Sequence, residues 1–113
     1  MNVTKIENAT TEKIKAIYVV HLYGQIENMI EIIEIAKWQD FFNVEDWGQA
    51  QGTEINGKKC GIFGDIDCFS FYTTKNLGGF GFGVGGAIIT NIEEYADKIR
   101  ILRNYSSKTT ILL

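Results

Sequence analysis

Three observations point to an α/β chain with a mainly parallel sheet flanked by helices. Two short apolar strands, "KAIYVV" and "FFNVED", are separated by a stretch of helical periodicity, so Lys15 to Asp46 reads as strand, helix, strand. Such a βαβ unit needs parallel strands and a right-handed crossover. Two further strands, "DCFSF" and "GAIIT", follow before a last helix.

The first strand, Lys15 to Val20, is a β-branched run expected to be covered on both faces, and it stops at "HLYGQ". From Ile26 onward, Ile26, Met29, Ile30, Ile33 and Ala36 keep helical spacing, with Glu27, Glu31, Glu34 and Lys37 largely between them. "FFNVED" resumes strand character, although Asn43 interrupts an otherwise apolar run and needs a polar partner if buried. The stretch "WGQAQGTEINGKKCG" reads as a polar, glycine-containing loop. In the last helix Asn91 is the expected N-cap with Glu94 three residues on, and Ile92, Tyr95, Ala96, Ile99 and Leu102 form one apolar face. The tail "SSKTTILL" has lost the pattern. The chain starts just before a core strand and stops just after a helix that needs something to pack on, so residues 1–113 read as a fragment of a larger domain.

Composition removes several function classes. With 11 basic against 14 acidic residues and a net charge of −3, the chain has no electrostatic footprint for nucleic acid. Its 45% apolar share is that of a folding, globular chain rather than a disordered one. Two cysteines, Cys60 and Cys68, and a single histidine supply neither a disulfide framework nor a zinc site, and reduced thiols fit a cytoplasmic setting. No apolar segment approaches the roughly 20 residues of a membrane span.

The chemistry-bearing candidates lie at strand ends. Lys75 follows the aromatic strand "CFSFY", sits beside Thr73, Thr74 and Asn76, and precedes glycines that let a ligand approach the backbone. In isolation it reads as a solvated lysine. Partly desolvated, its amine would ionise less readily, and the neutral amine is the form that attacks an aldehyde. Asp46 ends a parallel strand, where open α/β sheets place ligand-contacting groups, but it could equally be a helix N-cap; Gln49 lies three residues beyond. Ser70 is either a small core residue or a hydroxyl that donates to phosphate. His21 and Tyr23 end the first strand on the same presumed edge and are candidates for substrate contact, against the ordinary structural role of a lone histidine. Gly81, Gly83 and Gly86 spell G-x-G-x-x-G, yet they run into a strand instead of opening a helix, which argues against a dinucleotide fingerprint.

Together "VHLYGQ", "EDWGQAQG", "FGDIDCFSFYTTKNLGG" and "GGAIITN", followed by "YADKIRILRNY", resemble the DegT/DnrJ/StrS family of PLP-dependent sugar aminotransferases. The resemblance runs from about Ile6 to Tyr105. It implies part of the large domain of aminotransferase fold type I, without the segment upstream and the small domain downstream. It also implies pyridoxal 5'-phosphate as cofactor, with Lys75 as the lysine that binds it covalently and Asp46 as the carboxylate facing the pyridine nitrogen. Gln49 falls beside the cofactor's 3-hydroxyl, and Ser70 on a hydroxyl that binds its phosphate. Substrates by resemblance are a nucleotide-linked keto-sugar and an amino-acid donor such as glutamate. "QAQGTEINGKKCG" and "LRNYSSK" look most like members that aminate the 3-keto position of dTDP-6-deoxyhexoses, with 4-amination as the alternative. Full-length members are homodimers that share sites across the interface. A catalytically inactive α/β piece serving folding or assembly is the rival reading. The family usually has proline where this chain has Val19, Ile26 and Thr73, and the run "GGFGFGVGG" is longer by two than its usual counterpart.

Overall fold

The computed structural model describes residues 1–75 and 85–104. The chain opens with a 3-10 turn, Val3–Lys5, and a short helix α1 (Ile6–Ala9), neither of which its sequence suggests. Then follow β1 (Ala16–Val20), α2 (Met29–Trp38), β2 (Phe42–Asp46), β3 (Glu54–Ile55), β4 (Lys58–Lys59), β5 (Ile66–Ser70), β6 (Gly86–Ile89) and α3 (Glu93–Arg103). The main sheet has the order β1-β2-β5-β6, with the first three strands parallel and β6 antiparallel to β5. The mainly parallel sheet expected from the βαβ pattern is present.

Side chains alternate across a strand, and here the two faces differ. Ile17 and Val19 turn to the side covered by α2, where they form the core with Met29, Ile32 and Ala36. Tyr18 lies half-exposed on the other side, so β1 is covered on one face and not on both. Helix α2 begins at Met29, three residues after the expected start, and presents Met29, Ile32 and Ala36 to the sheet while Ile30 is exposed. Six of the eight residues from Met29 to Ala36 are apolar; of the expected stripe Met29 and Ala36 are in the core and Ile26 and Ile33 pack against it, so periodicity errs only in taking Ile30 and omitting Ile32.

The last helix also differs in its start. Asn91 does not cap it; the N–H of Ile92 donates to Thr90 Oγ1 at 3.1 Å instead, and no side chain caps from the Ncap position itself. Tyr95 of α3 meets Phe42 edge-on, with ring centroids 5.7 Å apart, which brings this helix to the face of the sheet opposite α2. Tyr95, Ala96 and Ile99 are half-buried, whereas Ile92 and Leu102 of the expected apolar face are exposed.

The loop after β2 contains a two-residue hairpin that the sequence reading missed. β3 and β4 pair antiparallel across Asn56 and Gly57, both at positive φ (51° and 76°), the combination of a type I′ turn. The dipeptide Asn-Gly is the available signal, but the flanking strands are only two residues long and largely polar. Residues 76–84, which include most of the glycine run, and the tail beyond residue 104 lie outside the described residues. Gly86 opens β6, in agreement with the strand context that argued against a dinucleotide fingerprint.

Candidate active site

Parallel pairing sets the carboxyl ends of three strands side by side, with Val20 opposite Asp46 and Asp46 opposite Cys68. Asp46, at the end of β2, is half-buried on the open face. Its Oδ2 accepts from the Tyr18 hydroxyl at 2.8 Å, and its Oδ1 accepts from the N–H of Gly48 at 3.1 Å. No helix follows Asp46, so it caps a turn rather than a helix. Among the described residues no cation is paired with it. The carboxylate is therefore pinned at both oxygens by hydrogen-bond dipoles.

Gly48 brings Ser70 to this carboxylate. A Cβ at position 48 would lie 2.9 Å from Ser70 Cβ and 3.3 Å from Asp46 Oδ1, so only glycine lets the two strand ends approach so closely. Ser70 Oγ accepts the Tyr72 N–H at a long 3.4 Å, which leaves its own proton free to be donated. After Ser70 the chain reverses in a turn closed by the Lys75 N–H to the Tyr72 carbonyl at 2.8 Å, and Lys75 is half-buried there.

Gln49 and Tyr23 are brought together at the same end. Gln49 Oε1 accepts the N–H of Tyr23 at 3.2 Å, which turns the donor end of the amide to whatever else Gln49 meets. Tyr23 is 89% exposed and held at φ 54°, a conformation that a bulky residue adopts only under constraint.

His21 is placed elsewhere. It is fully buried on the α2 side of the sheet, with Nε2 at 2.8 Å from Glu45 Oε1 and Nδ1 accepting the N–H of Glu27 at 3.2 Å. Because Nδ1 is an acceptor, the proton sits on Nε2 and the imidazole is neutral. Its position links β1 to β2 and is closed to a ligand approaching the open face.

Glu45 is the hub of this layer and was not anticipated. Its carboxylate also accepts from the N–H groups of Gly61 and Phe63, each at 3.1 Å. Burial works to raise its pKa, but hydrogen bonds from His21, Asp67, Gly61 and Phe63 outweigh burial together and hold it down to about 2. Asp67, opposite Glu45 on β5, is pushed up to about 7 by burial and then by the Glu45 carboxylate. The network fastens the loop over 61–64 to the strand that carries Asp46. Nearby, Trp47 packs against Phe69 with ring centroids 3.8 Å apart and planes inclined at 58°. Among the described residues, Asn43 Nδ2 and Oδ1 and Trp47 Nε1 are buried without a partner.

The half-buried residues at the strand ends fit a pyridoxal phosphate: an ionised acceptor for a protonated ring nitrogen, a glycine cradle beside it, a hydroxyl with a free proton, and a lysine one turn on. Tyr18 and Gly48 are the parts of this arrangement that sequence reading missed. Alternation places Tyr18 on one strand face with Val20, but only the register, with Val20 opposite Asp46, shows that this face leads to the carboxylate.

Residues 1–111 match the DegT/DnrJ/EryC1/StrS aminotransferase family, and the chain belongs to that family. A dTDP-3-amino-3,6-dideoxy-alpha-D-galactopyranose transaminase from Aneurinibacillus thermoaerophilus is 50% identical over 103 residues, covering 91% of this chain and 28% of that protein. Among solved structures, DesV of Streptomyces venezuelae in complex with a ketimine intermediate has a TM-score of 0.89 at 38% identity, over 99% of this chain and 30% of that one. NtdA from Bacillus subtilis with bound cofactor PMP gives 0.83 at 33% identity, over 100% and 26%. The chain thus spans less than a third of the length of these proteins. The fold is that of part of a PLP-dependent aminotransferase. Among the described residues, no helix is long and apolar enough to cross a membrane.

Proposed function

We propose that this chain forms the cofactor-binding part of an enzyme that moves an amino group from an amino acid, such as glutamate, to a keto-sugar carried on a nucleoside diphosphate. One observation carries the reading: Asp46, doubly hydrogen-bonded and without a cationic partner among the described residues, lies against Ser70 through Gly48, at the strand ends from which the chain turns to Lys75.

When bound, pyridoxal phosphate supplies an aldehyde that carries the amino group and a protonated ring that accepts the electron pair left when a C–H bond breaks. Asp46 holds the proton on the ring nitrogen through a charge-assisted hydrogen bond. Gln49 offers its amide N–H to the cofactor's 3-oxygen, because its Oε1 is already occupied by Tyr23. Ser70 Oγ donates to the phosphate. Lys75 would hold the cofactor through Nζ, and its free amine would serve as the group that takes up and returns a proton at the reacting carbon. Tyr23, exposed beside Gln49, faces the sugar substrate. His21 supports this edge from inside the sheet.

Within this reading the sugar is a dTDP-linked 6-deoxyhexose aminated at C3, supported by the half-identical transaminase whose name carries a 3-amino-3,6-dideoxy sugar. Amination at C4 is the alternative. The residues 1–113 then belong to a large domain completed by further segments, the working unit is a homodimer, and the compartment is a reducing cytoplasm, in keeping with two free thiols. The 113 residues alone would bind the cofactor weakly and not turn over. The test is incubation of the protein at its natural length with pyridoxal phosphate, glutamate and a dTDP-3-keto-6-deoxyhexose. Steady release of 2-oxoglutarate with an amino sugar as product is expected; no release with any nucleotide keto-sugar favours the inactive assembly piece.

A further inference from the structure

We propose that Tyr18 is a positioning residue for the cofactor, acting through Asp46; the inference rests on the reading of Asp46 as the partner of the pyridine nitrogen. Tyr18 and Asp46 stand on the same face of neighbouring parallel strands, one pair out of register, since Tyr18 is opposite Val44 and Asp46 opposite Val20. The phenol spans that offset and places its hydroxyl 2.8 Å from Oδ2.

The geometry of the carboxylate gives this contact its consequence. Gly48 N–H holds Oδ1 only, and one hydrogen bond leaves a carboxylate free to swing about its terminal torsion. A second bond to the other oxygen fixes the plane. The lone pairs that remain on Asp46 then point in one direction before any ligand arrives, which is the condition for binding without reorganisation. Tyr18 can serve as donor throughout the working range of pH, because its own ionisation is pushed up to about 12 by burial, then by the hydrogen bond to Asp46 and its charge. The bond also differs from a stabilising core contact: Tyr18 is half-exposed and lies outside the buried core cluster.

A double-mutant cycle with 15N-labelled pyridoxal 5'-phosphate tests the inference in the protein at its natural length. The variants are Tyr18→Phe, Asp46→Asn and the pair, and the readouts are cofactor affinity and the ring-nitrogen chemical shift. Tyr18→Phe should weaken cofactor binding about three- to tenfold, the effect of one partly exposed hydrogen bond. In the Asp46→Asn background the same change should have almost no effect, and in the single variant the ring-nitrogen signal should move toward the unprotonated position. An equal loss of affinity in both backgrounds, or a signal left at the wild-type position, overturns the role of Tyr18. If Asp46→Asn itself leaves the signal in place, or the wild-type protein takes up no cofactor, the reading of Asp46 falls and the role of Tyr18 falls with it.

Discussion

Glu45 and Asp67 face each other across the parallel pair β2 and β5, both buried, and together they keep one proton up to about pH 7. In the unfolded chain Asp67 loses its proton near pH 3.9. Its folded value is higher, so its contribution to stability is complete below about pH 4 and is lost as pH rises through about 7, at up to about 1.4 kcal/mol per pH unit. Glu45 acts in the opposite sense at the acid end: its folded value of about 2 lies below the unfolded one, and its contribution is lost as pH falls toward 2. The melting temperature should therefore decline from pH 5 to pH 7.5. Asp67→Asn, which supplies a permanent N–H donor to Glu45, should flatten that decline. A wild-type melting temperature that is level over this range would contradict the shared proton.

His21→Ala should destabilise the fold by about 2–4 kcal/mol, since it removes a buried ring, leaves the Glu27 N–H unpaired and takes one of two donors from Glu45 Oε1, which keeps only the Gly61 N–H. Urea unfolding measures this directly. A variant of wild-type stability with an altered KM for the sugar would return His21 to the substrate site.

Gly48→Ala puts a methyl group 2.9 Å from Ser70 Cβ. Overpacking of this kind costs about 1–3 kcal/mol. The larger effect should fall on cofactor affinity, read by titration with pyridoxal phosphate, because the strain lies between Asp46 and Ser70. Unchanged affinity would show that the cradle adjusts freely.

Asp46→Ala should lower turnover far more than stability. Its two hydrogen bonds are partly exposed and each is worth about 0.5–1.5 kcal/mol, whereas an electron sink without its protonated nitrogen is weakened at the reacting centre. Loss of stability with the rate retained would mean that Asp46 only closes a turn.

The strands were legible because β-branched runs bounded by polar turns leave little choice: Lys15 to Val20 and Ala16–Val20 differ by one residue, and Ile66–Ser70 is Asp67 to Phe71 shifted by one. The helix stripe was legible except at one position, because with apolar residues at 29, 30, 32, 33, 35 and 36 neighbouring faces score alike and only the sheet decides that Ile32 is buried and Ile30 is not. Asn91 is not the cap because the helix starts one residue later than expected, with Ile92 at the Ncap position, and the Thr90 hydroxyl closes the turn before it by accepting the Ile92 N–H. Asp46, Gln49, Ser70 and Lys75 stood out as polar groups at strand ends. Glu45 and Asp67 did not, because an acid in a strand reads as solvated until register brings a second acid, a histidine and two backbone donors around it. Tyr18 was hidden in an apolar run for the same reason: its meaning comes from the neighbouring strand.

The central claim is that Lys75 is the residue that carries the cofactor. Treating the protein with pyridoxal 5'-phosphate, reducing with borohydride and mapping the modified peptide tests it most directly. The account predicts one stable adduct, on Lys75 in "FYTTK", absent from Lys75→Ala. An adduct on Lys58 or Lys59, the exposed lysines of the β3–β4 hairpin, or an undiminished adduct in Lys75→Ala, would contradict it.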